Sequence, residues 1–321
     1  LTKQREKEYL NLINDVLNRG AFIMQEDLSI FESNLAKYLG VRNIIGVADG
    51  TMAILLSLVA AGIKKGDDVL LPSHTFVASA AAIHHSGANP ILVDCGKDHL
   101  IDPISIEKSL TNKTKAIMPV HLTGRMCEMN KIMRIAKKKN IKVIEDCAQS
   151  IGSIYDKKKR GSFGDVGAFS THPLKNLNAC GDGGFIITNN KKLYNFLKLK
   201  RNHGHITREK VKFFGTVSRL DSIQAVILNF RLKKLENIIN KRLRNASIYK
   251  KNLKNLNLYH PEDRLHCRDT YHLFVIQVKK RDALKKFLFK NKIESNIHYP
   301  IPIHKQKIFN YKSPKLIKTE K

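Results

Sequence analysis

Hydrophobic residues in the first two thirds of the chain recur with two alternating periods. Short apolar runs rich in β-branched residues predict strands, and the longer amphipathic or wholly apolar runs between them predict helices. The predicted strands cover residues 43–48, 68–71, 90–94, 115–120, 141–145, 166–170 and 185–188. The helices predicted between the first five strands cover residues 51–61, 76–85, 103–110 and 128–138. This alternation predicts an α/β fold with a mixed, mostly parallel seven-stranded sheet that is covered by helices on both faces.

The pattern changes after about residue 219. A basic amphipathic helix that breaks near Asn255 is predicted first, followed by a strand at 272–278, a helix at 282–291 and a strand at 293–299. These elements indicate a smaller α+β unit. We therefore expect a large domain over residues 1–218, which opens with a helical segment, and a small domain over residues 219–321.

Composition and cysteine usage limit the class of protein. Of the 321 residues, 42% are hydrophobic and 26% are charged, which is typical of a soluble globular enzyme. No apolar run is long enough to span a bilayer, and no signal-peptide pattern opens the chain. The five cysteines are scattered and form no Cys-x-x-Cys pair, which argues against a disulfide framework and a structural zinc site. We expect a cytoplasmic protein that does not bind a membrane.

The net charge of the chain is unusually high. The 57 lysines and arginines exceed the 28 acids and give a formal net charge of +29. Such a charge either attracts a polyanion, such as nucleic acid, or lies on solvated helix faces. Residues 231–260 hold nine Lys or Arg and one acid, and their apolar residues have the spacing of one long helix with a basic outer face. No nucleic-acid-binding motif accompanies the charge, so we expect no nucleic-acid partner.

Ligands of parallel α/β sheets bind at the carboxyl ends of the strands, so polar residues there are candidates for chemistry. The first strand is followed by Asp49, Gly50 and Thr51 at the start of a helix. Glycine lets a ligand approach the backbone, and the helix N-terminus offers free N–H groups and a positive dipole end. This segment is a candidate phosphate cradle, although an ordinary N-cap turn would use the same residues.

The fifth predicted strand ends in two carboxylates, Glu145 and Asp146. Buried carboxylates need partners, and the alternation of a strand sends these two side chains to opposite faces of the sheet. One of them can therefore meet a ligand while the other is bonded elsewhere, and we favour Asp146 as the functional one. Metal ligation is the alternative, but no His or Asp partner lies at ligand spacing, so no metal is expected.

The sixth strand leads into a loop that carries Lys175 and then a glycine turn at 181–184. A lysine at the ligand edge can lose solvation, which lowers its pKa and makes it a candidate to form a Schiff base. An ordinary surface lysine is the alternative. A phosphate cradle, a carboxylate for a pyridine nitrogen, a hydroxyl and a Schiff-base lysine are together what pyridoxal 5'-phosphate (PLP) requires.

Six segments, in a fixed order, resemble one family of PLP enzymes. They read GVADGT, PSHTFVASAAAI, IEDCAQSIGSIY, GAFSTHPLKNLNACGDGGFIITN, GTVSRLDSIQAVIL and HYPIPIH. The chain resembles the DegT/DnrJ/StrS family of PLP-dependent aminotransferases of nucleotide-sugar biosynthesis, which have the fold of aspartate aminotransferase, PLP-dependent transferase fold type I. The resemblance covers residues 22–304, and the block 169–184 is its most specific part.

The resemblance implies a role for each candidate cofactor contact. Lys175 would carry PLP as the internal aldimine, and Asp146 would pair with the pyridinium nitrogen. Gln149 would lie near the phenolic oxygen, and Phe76 would stack on the pyridine ring. The phosphate would be bound by Gly50, Thr51 and Ser170.

The resemblance also implies a reaction and partners. An amino group would move from an amino acid, expected to be L-glutamate, to a keto group of a nucleotide-linked deoxysugar, for surface glycans such as lipopolysaccharide O-antigen or related amino sugars. The stretch KNLNACGDGG is more similar to members that act at C-3 than to those that act at C-4, which stays the alternative. The family's sites lie at a dimer interface, which implies a homodimer. The candidate substrate contacts are His172, Arg219, Tyr299 and His304.

Three departures from the family pattern affect these expectations. Val217 stands where members usually have an asparagine that reaches the cofactor phosphate of the neighbouring subunit. His172 stands where an aromatic residue is common, and it either fills the loop or donates to the sugar or cofactor. Members normally continue beyond HYPIPIH with another strand and helix, so we expect the small domain to be incomplete at its C-terminus.

Two other functions stay open from the sequence. One is a PLP-binding relative that regulates without catalysis, and the other is a nucleic-acid binder that uses the positive charge. The presence of Lys175, Asp146 and Ser170 argues against the first. The dehydratase branch of the family has a histidine in place of the lysine, so Lys175 also argues against dehydration.

Overall fold

The computed structural model describes residues 3–159, 163–309 and 314–320. Ten helices lie in these ranges: α1 (Lys3–Arg19), α2 (Glu26–Leu39), α3 (Gly50–Ala60), α4 (Val77–His85), α5 (Pro103–Ser109), α6 (Met129–Lys139), α7 (Lys191–Lys200), α8 (Ser222–Leu232), α9 (Leu235–Leu253) and α10 (Arg281–Lys290). Three short 3-10 helices cover Leu122–Gly124, Ile303–Lys305 and Lys307–Phe309. The same ranges hold nine strands: β1 (Asn43–Val47), β2 (Asp68–Pro72), β3 (Asn89–Val93), β4 (Thr114–Ile117), β5 (Lys142–Asp146), β6 (Ile154–Tyr155), β7 (Lys158–Lys159), β8 (Val166–Ser170) and β9 (Gly184–Thr188).

Seven strands form one sheet in the order β1-β9-β8-β5-β4-β2-β3. The pairs β8–β5, β5–β4, β4–β2 and β2–β3 are parallel, and β9 runs antiparallel to both of its neighbours. This confirms the predicted α/β fold with a mixed, mostly parallel seven-stranded sheet. Strand β4 ends at Ile117, earlier than predicted, because Val120 makes only a single bridge to Asp146 at the end of β5.

Successive residues of each strand face different helix layers. On one face, Ile45, Val69 and Ile144 pack in a buried cluster with residues of α3, α4 and α7. The opposite face is shared by two clusters. The first joins β1 and β9 to α2 and α8, and the second joins β2, β4 and β5 to α5 and α6. Burial on both faces explains why these strands read as continuous apolar runs in the sequence.

Helix α3 is held at the centre of the molecule by its apolar sequence and its cap. Its residues Ala53, Ile54, Leu56 and Leu58 are buried, as the predominance of apolar side chains all round the helix predicts. The Asp49 side chain caps the helix by accepting a hydrogen bond from the Met52 N–H at 2.8 Å. The first turn of α3 is therefore fixed at the carboxyl end of β1.

The C-terminal third differs from its prediction. Arg231 and Leu232, the first residues of the basic run, end α8, and a tight turn closed by the Lys234 N–H and the Arg231 carbonyl separates them from α9. From Leu235 the run forms one helix, as predicted, and α9 ends at Leu253, close to the predicted break near Asn255. The strands predicted at 272–278 and 293–299 are absent from the described residues, where the first of these runs has one bridge, between Tyr259 and Gln277, and the second has none. A strand needs a neighbour along its length, and here the backbone bonds to other partners instead.

The division at residue 218 stays a prediction. Helix α8 packs on α2, and Leu220, Leu228 and Ile239 lie in the same buried cluster as Phe31 and Phe185. The chain on both sides of the expected boundary therefore shares one core.

None of the described helices combines the length and the apolar character needed to cross a bilayer.

Candidate active site

The carboxyl ends of β5 and β8 and the start of α3 meet at one edge of the sheet. Gly50 lies so close to Ser170 that a Cβ atom on Gly50 would be 2.7 Å from the Ser170 Cβ. Only glycine fits this contact without a shift. The first N–H groups of a helix have no acceptor within the helix, so Gly50 and Thr51 offer donors beside the Ser170 hydroxyl. The structure thus brings together the three predicted phosphate contacts, and their chemistry fits an anion.

Asp146 is a buried carboxylate with two donors from its own chain. Its Oδ2 accepts a hydrogen bond from the Ser79 hydroxyl at 2.7 Å, and its Oδ1 accepts one from the Ala148 N–H at 3.1 Å. Ser79 in turn lies 3.1 Å from the Thr75 hydroxyl. Ser79 is a partner that was not predicted; its signal in the sequence is a hydroxyl at a buried position among the alanines of α4.

Glu145 faces the other side of the sheet, as the alternation of β5 predicts. Its Oε2 lies 3.0 Å from His121 Nε2, and its Oε1 accepts hydrogen bonds from the backbone N–H groups of Phe163 and Gly164. His121, Glu145 and Cys147 are close enough to hold a metal ion. However, His121 Nδ1 accepts the Cys127 N–H at 3.1 Å, so the proton must be on Nε2, and that nitrogen has no lone pair for a metal.

Lys175 has an environment unlike that of a surface lysine. Burial lowers the pKa of its amine, and the charge of Asp146 opposes this shift. Its backbone N–H donates to the His172 carbonyl at 2.8 Å, which closes the loop after β8. A lysine with a lowered pKa is more often neutral and therefore more nucleophilic. Lys175 thus lies near Asp146 with the chemistry that a Schiff-base lysine needs.

Tyr299 links two other predicted site residues. Its hydroxyl accepts a hydrogen bond from Gln149 Nε2 at 3.4 Å, and its ring centroid lies 6.3 Å from that of Phe76. Burial raises the pKa of Tyr299 to about 12. The Gln149 Oε1 accepts the Thr123 N–H at 2.7 Å. Phe76, which precedes α4, is 57% exposed, so a ligand can reach it.

Three histidines near the site were missed by the sequence analysis. His74 donates from Nε2 to the His298 carbonyl at 3.0 Å, and burial lowers the pKa of His74 to about 4. Burial, and then the charge of Lys175, lowers the pKa of His272 to about 3 and also lowers the pKa of His298. These three imidazoles are therefore neutral near neutral pH and add no charge to the site.

The remaining candidate substrate contacts have different surroundings. His172 is exposed and accepts the Leu174 N–H on Nδ1 at 3.3 Å. Arg219 donates from Nη1 to Asn202 Oδ1 at 3.2 Å.

His304 is buried, and both of its ring nitrogens have partners within the chain. Its Nδ1 lies 2.7 Å from the Ser73 hydroxyl and its Nε2 lies 3.1 Å from Glu320 Oε1. Because neither nitrogen is open to a ligand, we do not carry His304 into the proposed substrate site.

Val217 lies on the surface, next to the residue that contacts the β1–α3 turn. Its side chain is 51% exposed, and its backbone forms an antiparallel bridge with Asn202. The next residue, Ser218, accepts the Ala48 N–H on its hydroxyl oxygen at 3.2 Å. The segment is thus tied to the β1–α3 turn of its own chain, while half of the Val217 side chain is exposed to solvent.

The fold and the chemistry of this sheet edge are those that a PLP enzyme needs. A family model for the DegT/DnrJ/EryC1/StrS aminotransferases matches residues 3–320. The chain therefore belongs to this family, and PLP is its cofactor.

Several characterised proteins are similar to the chain. It is 43% identical over 309 residues to dTDP-3-amino-3,6-dideoxy-alpha-D-galactopyranose transaminase of Aneurinibacillus thermoaerophilus, with 95% of this chain and 84% of the relative covered. It is 40% identical over 307 residues to UDP-N-acetyl-3-dehydro-alpha-D-glucosamine 3-aminotransferase of Acidithiobacillus ferrooxidans, with 95% and 83% covered. The crystal structure of S. venezuelae DesV in complex with a ketimine intermediate superimposes with a TM-score of 0.96 at 33% identity, covering 99% of this chain and 87% of that one.

Proposed function

We propose that the protein uses PLP to transfer an amino group from L-glutamate to the 3-keto group of a nucleotide-linked sugar. The observation that carries this proposal is the meeting of Asp146, the Gly50–Ser170 contact and the desolvated Lys175 at one edge of the sheet. Two relatives at 43% and 40% identity have names that place the amino group on carbon 3. This supports C-3 over C-4 as the position of amination.

The residues present fit PLP. The Ser170 hydroxyl and the N–H groups of Gly50 and Thr51 would hold its phosphate. Asp146 would face the ring nitrogen, and Phe76 would cover one face of the ring. When bound, PLP supplies an electron sink for the charge that develops at the α-carbon of the amino donor.

Lys175 would hold PLP through its Nζ and leave when the donor amine takes its place. The freed amine of Lys175 would then take the proton from the α-carbon of the amino donor and deliver it to the cofactor at C4'. Burial lowers the pKa of Lys175, so its neutral form is present at a lower pH than for an exposed lysine. Asp146 would hold the proton on the ring nitrogen, because a nearby negative charge favours the protonated ring.

Gln149 and Tyr299, which are bonded to each other, would recognise oxygen atoms of the cofactor and the sugar. Gln149 is oriented by the Thr123 N–H, which supports its predicted place at the phenolic oxygen. A tyrosine is protonated near neutral pH, and burial raises the pKa of Tyr299 further, to about 12, so its hydroxyl can donate to a substrate oxygen. His172 and Arg219 stay candidate substrate contacts at the rim.

We propose a homodimer with the sites at its interface. Two apolar residues are almost fully exposed in the single chain: Leu174 (75%), one residue before Lys175, and Phe214 (95%), three residues before Val217. Burying such side chains against a second copy would be favourable. A cytoplasmic location stays a prediction that rests on the sequence, together with the division into domains at residue 218.

Matched pairs of keto sugars test the proposed reaction. The purified protein with PLP is expected to convert L-glutamate to 2-oxoglutarate and to aminate a 3-keto nucleotide sugar faster than its 4-keto isomer. Mass spectrometry of the sugar and a coupled assay for 2-oxoglutarate follow the two half-reactions. Amination of the 4-keto isomer alone would move the position to C-4. Amination of neither isomer, with any amino donor, would contradict the proposed function.

The family's asparagine can be restored at Val217. Val217→Asn is expected to tighten PLP binding by about ten- to a hundredfold, since a hydrogen bond to a charged group is worth about 1.5–3 kcal/mol. The measurement is a PLP titration of the cofactor-free protein, with Val217→Ala as a control that adds no donor. If the asparagine variant binds PLP no more tightly than the wild type, a nearby donor already fills this role, or the family's asparagine corresponds to a position next to Val217.

A further inference from the structure

A buried pair of side chains beneath the site has no part in the chemistry described above. His121 and Glu145 are both 0% exposed and lie 3.0 Å apart between Nε2 and Oε2. The Cys127 N–H donates to His121 Nδ1 at 3.1 Å, which fixes the proton on Nε2 and makes the ring a neutral donor to Glu145. The other carboxylate oxygen accepts the Phe163 and Gly164 N–H groups at 3.0 and 2.8 Å.

The same histidine holds the backbone of the neighbouring aspartate. The His121 N–H donates to the Asp146 carbonyl at 3.0 Å, and the Asp146 N–H donates to the Pro119 carbonyl at 2.9 Å. His121 is thus bonded through its ring to Glu145 and through its backbone to Asp146. Because these acids are consecutive in β5, the direction of the Asp146 carboxylate depends on both bonds.

His121 also closes the loop that orients Gln149. Residues 121–127 turn back so that the Cys127 N–H reaches the His121 ring. Inside this turn Thr123 has a φ of 60° and a ψ of 4°, a left-handed conformation that is costly for a β-branched residue and persists only where its surroundings enforce it. In this conformation the Thr123 N–H donates to Gln149 Oε1 at 2.7 Å.

We propose that His121 and Glu145 are positioning residues that hold Asp146 at the ring nitrogen of PLP and Gln149 at its phenolic oxygen. One imidazole joins the strand end that carries Asp146 to the loop that orients Gln149, so the two contacts keep a constant separation. The proposal rests on the proposed function, because it assumes that Asp146 and Gln149 contact the ring.

Two substitutions separate the two bonds of the imidazole. The amide oxygen of His121→Asn can replace Nδ1 as the acceptor for the Cys127 N–H, but this variant loses the donor to Glu145. The amide N–H of His121→Gln can replace Nε2 as the donor to Glu145, but this variant loses the acceptor for Cys127. We expect both variants to bind PLP about tenfold more weakly. We expect only His121→Asn to shift the pH midpoint of the bound cofactor's absorbance by about one unit, because only it loosens Asp146.

Thr188→Val is the matched control for lost stability. Thr188 is the buried last residue of β9, at the end of the strand that is farther from Ser170. Its hydroxyl donates to the Asp165 carbonyl at 2.9 Å and accepts the Asn190 N–H at 3.1 Å. All variants are compared by thermal unfolding without cofactor, by PLP titration and by the absorbance titration. The control is expected to lose thermal stability while it keeps the PLP affinity and the pH midpoint of the wild type.

The outcomes distinguish the proposal from the function on which it rests. The His121 variants could lose stability like the control and yet keep the PLP affinity of the wild type within twofold and its pH midpoint within a few tenths of a unit. In that case the pair is structural and the proposal is wrong. If the wild-type protein binds PLP but Asp146→Asn leaves the pH midpoint unchanged, the assumed contact of Asp146 is wrong instead.

Discussion

Lys175→Ala is expected to abolish amino transfer while leaving the fold intact. The variant loses both the nucleophile that holds PLP and the base that moves the proton, and proton transfer alone contributes about 10²–10⁴-fold to a rate. The side chain lies in the loop after β8 and belongs to none of the buried hydrophobic clusters. We therefore expect an unchanged thermal unfolding profile without PLP and no detectable turnover of L-glutamate with a keto sugar.

The matched control is Lys142→Ala. Lys142 begins β5, at the opposite edge of the sheet from Asp146, and forms an exposed ion pair with Asp165 at 3.0 Å. Exposed pairs contribute about 0–1 kcal/mol, so this variant should keep wild-type turnover and nearly wild-type stability. Borohydride reduction of the protein with PLP, followed by mass spectrometry, should label Lys175 in the wild type and the control. Turnover of Lys175→Ala near the wild-type rate would refute its assignment.

The sheet was predictable because its strands are buried on both faces. Continuous apolar runs separated by helical stretches have few other interpretations, and the strand at 166–170 was predicted with its observed bounds. The run at 272–278 is also apolar, but its backbone pairs with Tyr259 at Gln277 alone, and in the more polar run at 293–299 the Ile293 N–H bonds back to Leu288 of α10. Whether an apolar run pairs depends on distant segments, which local periodicity does not reveal.

The polar partners of Asp146 and Glu145 show the same limit. Asp146 was predicted from the rule that ligands bind at the carboxyl ends of strands. The alternation of β5 predicted that Glu145 faces the other side of the sheet and has a different partner there. Ser79 and His121 lie 67 and 24 residues away along the chain. His121 follows the fourth strand at the same edge, so applying the rule to every strand would have suggested it. Ser79 is buried inside a helix and had only its hydroxyl as a signal.

Asp146→Asn is expected to reduce turnover by about two to four orders of magnitude, while PLP still binds. The asparagine keeps the shape of the side chain, and its amide oxygen can still accept one of the two hydrogen bonds from Ser79 and Ala148. What it loses is the negative charge opposite the ring nitrogen. Removing one partner of a buried charge pair costs about 3–5 kcal/mol, and each 1.36 kcal/mol is a factor of ten in rate.

Ser79→Ala separates the charge of Asp146 from its orientation. This variant keeps the carboxylate but removes the hydroxyl that donates to it at 2.7 Å, so we expect turnover to fall by only about tenfold.

A second measurement follows the pKa of Lys175 in the cofactor-free protein. The charge of Asp146 opposes the effect of burial on the pKa of Lys175, so in cofactor-free Asp146→Asn that pKa should fall further. The pH dependence of Lys175 modification by an amine reagent reports this shift, and it should not change in Ser79→Ala. If Asp146→Asn kept full activity, the ring nitrogen would not depend on this carboxylate. Equal losses in both variants would mean that orientation, and not charge, is what Asp146 contributes.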